Sequence, residues 1–522
     1  MAFTRKEFLK LGLVGGAGLV LPSSASPAWG RANGTTGYLL RSKAQLPKPF
    51  KLPLHVPPVL EPVRTDDGMD YYEITQKLGR AEILPGLKTE AWGYDGIFPG
   101  PTIVSRSGRK IVVRQHNGLP VPVSTHLHGG RTPPESDGYP TELVMPKKSH
   151  DRSTGGHGSM DMGWPKPSKD YVYPLEQRAA TLWYHDHRMD FTGPQVWRGL
   201  AGFHIIRDDE EDALPLPKGE KDVPLMICDR SFGEGGSFLY PSLDRSLQGK
   251  PGVKSNYMDG VLGDVILVNG VPWPFMEVSN TRYRFRILNA SNARRYGLAL
   301  EPEPSEGAPF VQVGSDRGLL GAPIPHRTIP IAPAERFDVL IDFSKYPVGT
   351  KVTLKNRLGY GTTSRVMRFH VVRKEKEEST VPERLSDMSA FEALGGSNAR
   401  LTRKFYFTQA APNGRAVWAI NGKVFDPSRI DARPKLGSTE IWEFVSDAHH
   451  PVHLHLVHFK VLSRNGRRPL PKDAGWKDTV DVLPGQVVRV ISRFDGYRGK
   501  YVFHCHNLEH EDMMMMANFG VV

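Results

Sequence analysis

Cysteine is nearly absent: the 522 residues contain two, Cys228 and Cys505. Committing either to another task leaves no intrachain disulfide, so cysteine pairing carries no argument about compartment. Cys228 ends the apolar run Pro224-Leu225-Met226-Ile227-Cys228 and reads as a small buried hydrophobe. The apolar stretch from Leu11 to Leu21 is shorter than the roughly 20 residues of a membrane-crossing helix, so no stable membrane insertion is expected. Also missing are a dense Lys/Arg block, a helix-turn-helix pattern and any nucleic-acid motif. The net charge of +12 therefore reads as a generally basic, solvated surface in preference to one that attracts anionic substrates or cell-envelope polymers. No long polar low-complexity tract interrupts the chain, and 39% hydrophobic residues suit a globular protein.

The first 32 residues follow the charged, apolar and small-residue order of a cleavable export signal. Thr4-Arg5-Lys6-Glu7-Phe8-Leu9-Lys10 precedes the apolar stretch, and Ser23 to Ala28 supplies small residues. The charged part resembles a twin-arginine signal with Lys6 at the second arginine. Export to the periplasm, cell envelope or medium is expected, with cleavage near Ala28 to Ala32. Beyond it, 53 Gly and 44 Pro punctuate many short β-like runs. At roughly 150 residues per domain, the length suits two to four domains. Three stretches repeat strand, turn and strand, closing at Ile206, at Val372 and at Val522. The expected architecture is all-β, with three consecutive β-sandwich domains at 40–210, 218–374 and 399–522. Linkers are expected near Asp208–Lys221 and at the charged 375–398 segment, the latter with a short helix.

Histidine is present in a repeated spacing: His126/His128, His185/His187, His453/His455 and His504/His506, the last pair split by Cys505. Side chains alternate faces along a strand, so each pair aims both imidazoles one way and the residue between them the other. Eight imidazoles can thus converge on one metal cluster while Cys505 faces away from it. A single such pair is more often a solvated or hydrogen-bonded strand feature, but four in matching surroundings reverse that reading. The first and last domains both carry His-Leu-His and, later, an aromatic residue followed by His-x-His. Asp186 stands where the last domain has Cys505, so the first domain reads as a copy without a thiolate site. With four imidazoles from each terminal domain, the cluster is expected at their interface, and the middle domain as a spacer and substrate-pocket wall.

Cys505 has partners of its own: His510 follows five residues later, Met515 five beyond that, and His450 stands three before His453. Two His, one Cys and a weak axial Met are the ligand set of a blue copper electron-transfer centre. Zinc would take several cysteines or leave a water-bearing position.

Further runs are Trp92-Gly93-Tyr94-Asp95-Gly96, Phe98-Pro99-Gly100-Pro101-Thr102, Ala332-Pro333-Ala334-Glu335-Arg336 and Gly475-Trp476-Lys477-Asp478-Thr479. With the histidine motifs, they resemble the three-domain multicopper oxidases, in the branch of spore-coat laccase, bilirubin oxidase and phenoxazinone synthase, from about Leu46 to Val522. The resemblance implies cupredoxin-like Greek-key sandwiches and four copper ions. It puts a type 1 ion on His450, Cys505, His510 and axial Met515, and a type 2 ion on His126 and His453. A type 3 pair falls to His128, His185, His187, His455, His504 and His506. Asp137 and Glu511 match acidic residues near dioxygen and are expected to relay protons.

The implied activity is one-electron oxidation of phenols, aromatic amines or bilirubin-type tetrapyrroles, coupled to four-electron reduction of dioxygen to water. Electrons are expected to enter at an exposed edge of His450 and pass through Cys505 to His504 and His506. The partners are dioxygen and a small aromatic or tetrapyrrole reductant, and the chain is expected to be a monomer. A metal-ion (cuprous) oxidase is a second reading, although no long Met-rich insertion precedes the third domain. A non-catalytic cupredoxin-fold scaffold is a third, and complete ligation weighs against it. His449 and His458 are expected to be non-ligands, and the Met513 to Met516 run to pack, Met515 excepted. His150, His157, Met160 and Met162 lie in a Gly/Ser-rich stretch that reads as a mobile surface loop, with copper capture the second reading.

Overall fold

The computed structural model describes residues 37–147, 166–250 and 252–522. The export-signal reading of residues 1–32 and the loop with His150, His157, Met160 and Met162 lie outside the described residues.

Strands form where buried and exposed residues alternate. In Lys110–Asn117, Ile111, Val113, Gln115 and Asn117 turn inward while Lys110 and Arg114 face solvent, the pattern of a sheet wetted on one face. This strand shares a sheet with Arg64–Asp66, Met69–Ala81 and Ser168–Tyr173. A second sheet orders Gly100–Arg106, Ala201–Arg207, Ala180–Asp186 and Thr125–His128. Tyr72, Ile74 and Ile111 of the first pack with Ile103, Leu127 and Leu182 of the second, which makes a sandwich. A seven-stranded and a five-stranded sheet follow, and then a five-stranded and a four-stranded one. The last runs Thr479–Val482, His450–Leu454, Gly499–Cys505 and Met516–Val521. The chain is all-β, three consecutive β-sandwiches, as its turn-rich sequence implies.

The apolar core crosses from the first sandwich to the second, where Trp183, Ala201 and Phe203 belong to one cluster with Leu225, Met226 and Ile227. The stretch near Asp208–Lys221 runs mostly over the surface, but it sends Glu211 and Leu216 into the interior. Asp208 caps the short helix Asp209–Ala213, accepting the Glu211 N–H at 2.8 Å. The helix carries Glu211 inward to Arg207 and Arg286, both at 2.7 Å, and to Arg284 at 3.1 Å. Asp222 pairs with Arg286 and Arg207, each at 2.8 Å, and Asp338 pairs with Arg284. Each buried ion costs several kcal/mol in lost hydration, so the set is stable only when complete. Burial works to raise the Asp222 carboxyl, but Arg286, Arg284 and Arg207 outweigh it and hold it at about 2. The 375–398 segment does contain a short helix, Ser389–Glu392.

Glu211→Gln should cost about 3–5 kcal/mol, seen as a lower denaturant midpoint; a loss below ~1 kcal/mol would mean that the arginines find other partners. Because the Asp222 carboxyl is held at about 2, below its ordinary 3.8, its contribution of about 2 kcal/mol is complete above pH ~4 and disappears as pH falls through 2.

Candidate metal centres

The four histidine pairs lie at strand ends that repeat one arrangement. In the first sandwich Thr125–His128 pairs antiparallel with Ala180–Asp186, and His126 stands opposite His185. In the third, His450–Leu454 pairs antiparallel with Gly499–Cys505, and His453 stands opposite His504. Both strand pairs turn their imidazoles to the boundary between the two sandwiches, where His126 stacks on His455 at 3.7 Å and His128 on His453 at 3.6 Å. Ring nitrogens converge within 4.8 Å in three groups: His126/His453/His455, His128/His185/His506 and His187/His455/His504. Each group draws on both sandwiches.

Outer contacts fix how these rings face. The Nδ1 of His126 donates to the Asp137 carbonyl at 2.6 Å, that of His185 to Asp186 at 2.8 Å, and that of His453 to Asp478 at 2.9 Å. The His455 Nδ1 donates to the Asp137 carboxylate at 2.7 Å, and the His504 Nδ1 to the Cys505 carbonyl at 3.1 Å. Such anchoring leaves the Nε2 lone pairs turned inward. His126 and His453 bring theirs to 3.4 Å, His187 and His504 to 3.2 Å, and His455 and His504 to 3.3 Å. Lone pairs so placed repel one another unless a cation lies between them. The His185 Nε2, the His128 Nδ1 and both nitrogens of His506 are buried without a hydrogen-bond partner, at about 1–3 kcal/mol for each buried group left unpaired. The donor set therefore fits metal ions. Burial pushes His126, His128, His453, His455 and His506 well below the ordinary imidazole range and His185 to about 3, which keeps them neutral and able to ligate.

Two carboxylates flank the cluster. Asp137 is pushed up to about 7 by burial. Glu511 approaches the Nδ1 of His504 at 3.1 Å and of His187 at 3.3 Å, and accepts from the Thr192 hydroxyl at 2.7 Å. Burial works to raise its carboxyl, but His504 and His187 hold it below the usual range.

On the other face of the Gly499–Cys505 strand, the Cys505 sulfur lies 3.3 Å from the Nδ1 of His450 and 3.6 Å from that of His510. The short helix Leu508–Asp512 returns His510 to the sulfur, and Met514, at φ +80°, turns the chain back toward the sheet. The Met515 carbonyl then accepts the Cys505 N–H at 3.1 Å, and its buried side chain belongs to the same apolar cluster as Cys505. His450 is fully buried, which corrects the expectation of an exposed edge. Asp447, with 18% of its side chain exposed, lies 3.3 Å from the His450 Nε2, and Trp418 packs on both His450 and His510. His449 is held near 4 by burial, and His458 belongs to neither centre.

In the first sandwich the position of Cys505 is held by Asp186, whose carboxylate accepts the Ser124 and Arg188 N–H groups at 3.0 Å each and the Gln195 amide. Sequence reasoning assigned no role to Asp478, Thr479, Arg336 or Thr192. The Asp478 carboxylate and the Thr479 hydroxyl each lie 3.1 Å from the His128 Nε2, and Arg336 clamps Asp478 at 2.7 Å. The signal for three of them was that Arg336 falls in the run 332–336 and Asp478 and Thr479 in the run 475–479; Thr192 had none.

Multicopper oxidase family models match residues 76–211 and 398–522, the stretches that hold the histidine pairs. The chain is 37% identical to a laccase of Bacillus subtilis (strain 168), over 90% of this chain and 97% of the other. It is 35% identical to a bilirubin oxidase of Albifimbria verrucaria, over 93% and 84%. A solved laccase from Pediococcus acidilactici superposes with a TM-score of 0.78 at 32% identity, covering 92% of this chain and 96% of that one. Its sandwiches are thereby cupredoxin-like. Relatives above 30% identity along nine-tenths of its length leave no other placement: the chain belongs to the multicopper oxidase family, as a copper oxidoreductase of the laccase type that uses oxygen.

Proposed function

We propose that the protein oxidises phenols, aromatic amines or bilirubin-type tetrapyrroles one electron at a time while reducing dioxygen to water, and that it holds four copper ions. His450, Cys505, His510 and Met515 would hold one type 1 ion, and His126 with His453 one type 2 ion. The type 3 pair would divide between His128/His185/His506 and His187/His455/His504. Bound copper supplies one-electron acceptance at the sulfur and four-electron reduction of dioxygen among the eight imidazoles. The observation that carries this reading is Cys505: its sulfur faces two imidazoles, while both chain neighbours belong to the other cluster.

The chain's own part is to exclude water, fix ring orientation and hold protons. All twelve ligand side chains are at most 1% exposed, so reactive oxygen chemistry stays enclosed. Asp137 and Glu511 occupy the outer, Nδ1 side of the cluster, where Asp137, lifted to about 7, can hold a proton for dioxygen chemistry and the ionised Glu511 can accept and pass one on. Thr192, on Glu511, leads from there to the first sandwich. A reductant docks outside Asp447 and Trp418, since these cover His450. Residues 1–32 are proposed to direct export, and the mature chain to act as a monomer in the periplasm, cell envelope or medium. Among the described residues no helix is long and apolar enough to cross a membrane.

Copper-loaded protein should absorb strongly toward the red end of the visible spectrum and oxidise phenols or bilirubin faster than Cu(I); faster Cu(I) turnover would favour a metal-ion oxidase. Cys505→Ser should abolish the band and turnover, whereas Met515→Leu should keep copper and raise the redox midpoint of the sulfur site; an unchanged midpoint would remove the axial role. Glu511→Gln should slow reoxidation by dioxygen about 10²-fold or more and leave reduction by substrate nearly intact. Equal slowing of both half-reactions would end its proton role. Mass spectrometry of the exported chain should find its first residue between 29 and 33, and an uncleaved chain would contradict the signal reading.

A further inference from the structure

A cleft apart from both metal centres has no task in the oxidase reading. It encloses about 170 Å³. Arg131, Gln177 and Arg178 of the first sandwich line it, with Arg317 of the second and His458 and Trp476 of the third. Every sandwich supplies a wall, and three guanidiniums border one small volume.

These cations are unequally neutralised. Arg131 reaches Asp495 at 3.6 Å and Arg178 reaches Glu210 at 3.2 Å, and both carboxylates are largely solvated, at 42% and 40% exposed. Glu176 also borders the cleft, where its carbonyl accepts from Arg131 at 3.2 Å. The Arg131 Nε is buried without an acceptor. Arg317 is only 5% exposed, and its guanidinium donates to the His458 Nδ1 at 3.4 Å. Among the described residues no carboxylate forms an ion pair with it. A buried guanidinium with no directly paired carboxylate is costly; burial lowers Arg317 to about 10, because the more distant Asp478 and Asp316 carboxylates only partly offset it. His458 gives no relief, because burial and the three arginines hold it near 3, uncharged. A planar guanidinium fork matches the paired oxygens of an oxyanion, and the cleft has room for a small one with water.

We propose that this three-sandwich junction binds a small multivalent oxyanion of the sulfate or phosphate class, anchored on Arg317 and flanked by Arg131 and Arg178. The bound ion ties the three sandwiches together and steadies the turn at 475–479. The Arg317 N–H donates to the Trp476 carbonyl at 3.1 Å, and the Ser315 hydroxyl donates to the same oxygen at 2.8 Å. Two residues on, Asp478 meets His128 through its carboxylate and His453 through its carbonyl. Occupancy at Arg317 is thereby coupled to the orientation of two cluster imidazoles, and by linkage the ion stabilises the folded chain.

The test is isothermal titration of sodium sulfate, and separately of sodium phosphate, into copper-loaded protein, with sodium chloride holding ionic strength constant. Saturable one-site binding of at least one oxyanion is expected, about tenfold or more weaker in Arg317→Gln, together with slower amide exchange at residues 475–479 in the wild type only. Copper content and the visible band of the variant should match the wild type. Should Arg317→Gln fail to fold, Arg131→Gln and Arg178→Gln replace it, each with weakened binding expected. The site is overturned if neither oxyanion binds saturably, or if the substituted protein binds as tightly as the wild type. Because the readout is anion affinity, a failure here leaves the oxidase reading standing, and loss of turnover leaves the anion site standing.

Discussion

The pleat of one strand governs the molecule. Successive residues in an extended chain point to opposite faces, so a thiol between two histidines has to look into its own sandwich while they look out of it. The thiol thus draws its other partners, His450 and His510, from inside the third domain. The two imidazoles, turned to the boundary, need a second surface to complete their cluster. The first sandwich supplies it with the same pairing of strands. The two meet as stacked rings, His126 on His455 and His128 on His453.

Bringing eight imidazoles to a dry boundary demands a polar frame around them, and the middle sandwich provides much of it. Arg336, buried on its strand Arg336–Asp342, reaches the Thr181 carbonyl of the first sandwich and the Asp478 carboxylate of the third. Asp478 then touches His128 and His453. A guanidinium with five donors in a fixed fork suits a place where three bodies meet. The Glu211 ion pairs answer the same need further from the cluster, fixing the first sandwich to the second through charges that no water screens. The middle domain is thus more than a spacer.

Much of this was legible before any coordinates, because strand periodicity is written in local spacing. His-x-His needs only the pleat, and the intervals from Cys505 to His510 and Met515 need only one turn after a strand. The three sandwiches were legible from turn residues between short apolar runs. Contacts that depend on distant chain segments were not. Thr192 reaches Glu511 across 319 positions and Asp478 reaches His128 across 350, and no spacing encodes either. Nor does the stretch Asp208–Lys221 announce that one of its acids, Glu211, is buried. That burial follows from Arg284 and Arg286 two apart on one strand, a pair whose inward direction shows only once the sheet is assembled. His450 seemed open because its lid, Asp447 with Trp418, rests partly on another strand.

Asp186, standing in the first sandwich where the third has a thiol, has a wider consequence. A carboxylate engaged by Ser124, Arg188 and Gln195 is already committed to hydrogen bonds within its own sandwich, and burial lifts it to about 7, so it offers no thiolate sulfur to a soft ion. The repeated strand pair therefore carries a thiol on one side and none on the other. On the proposed route through Cys505, charge has a single direction of approach to the imidazole cluster, and a one-sided circuit gives stored reducing power no second door through which to leak.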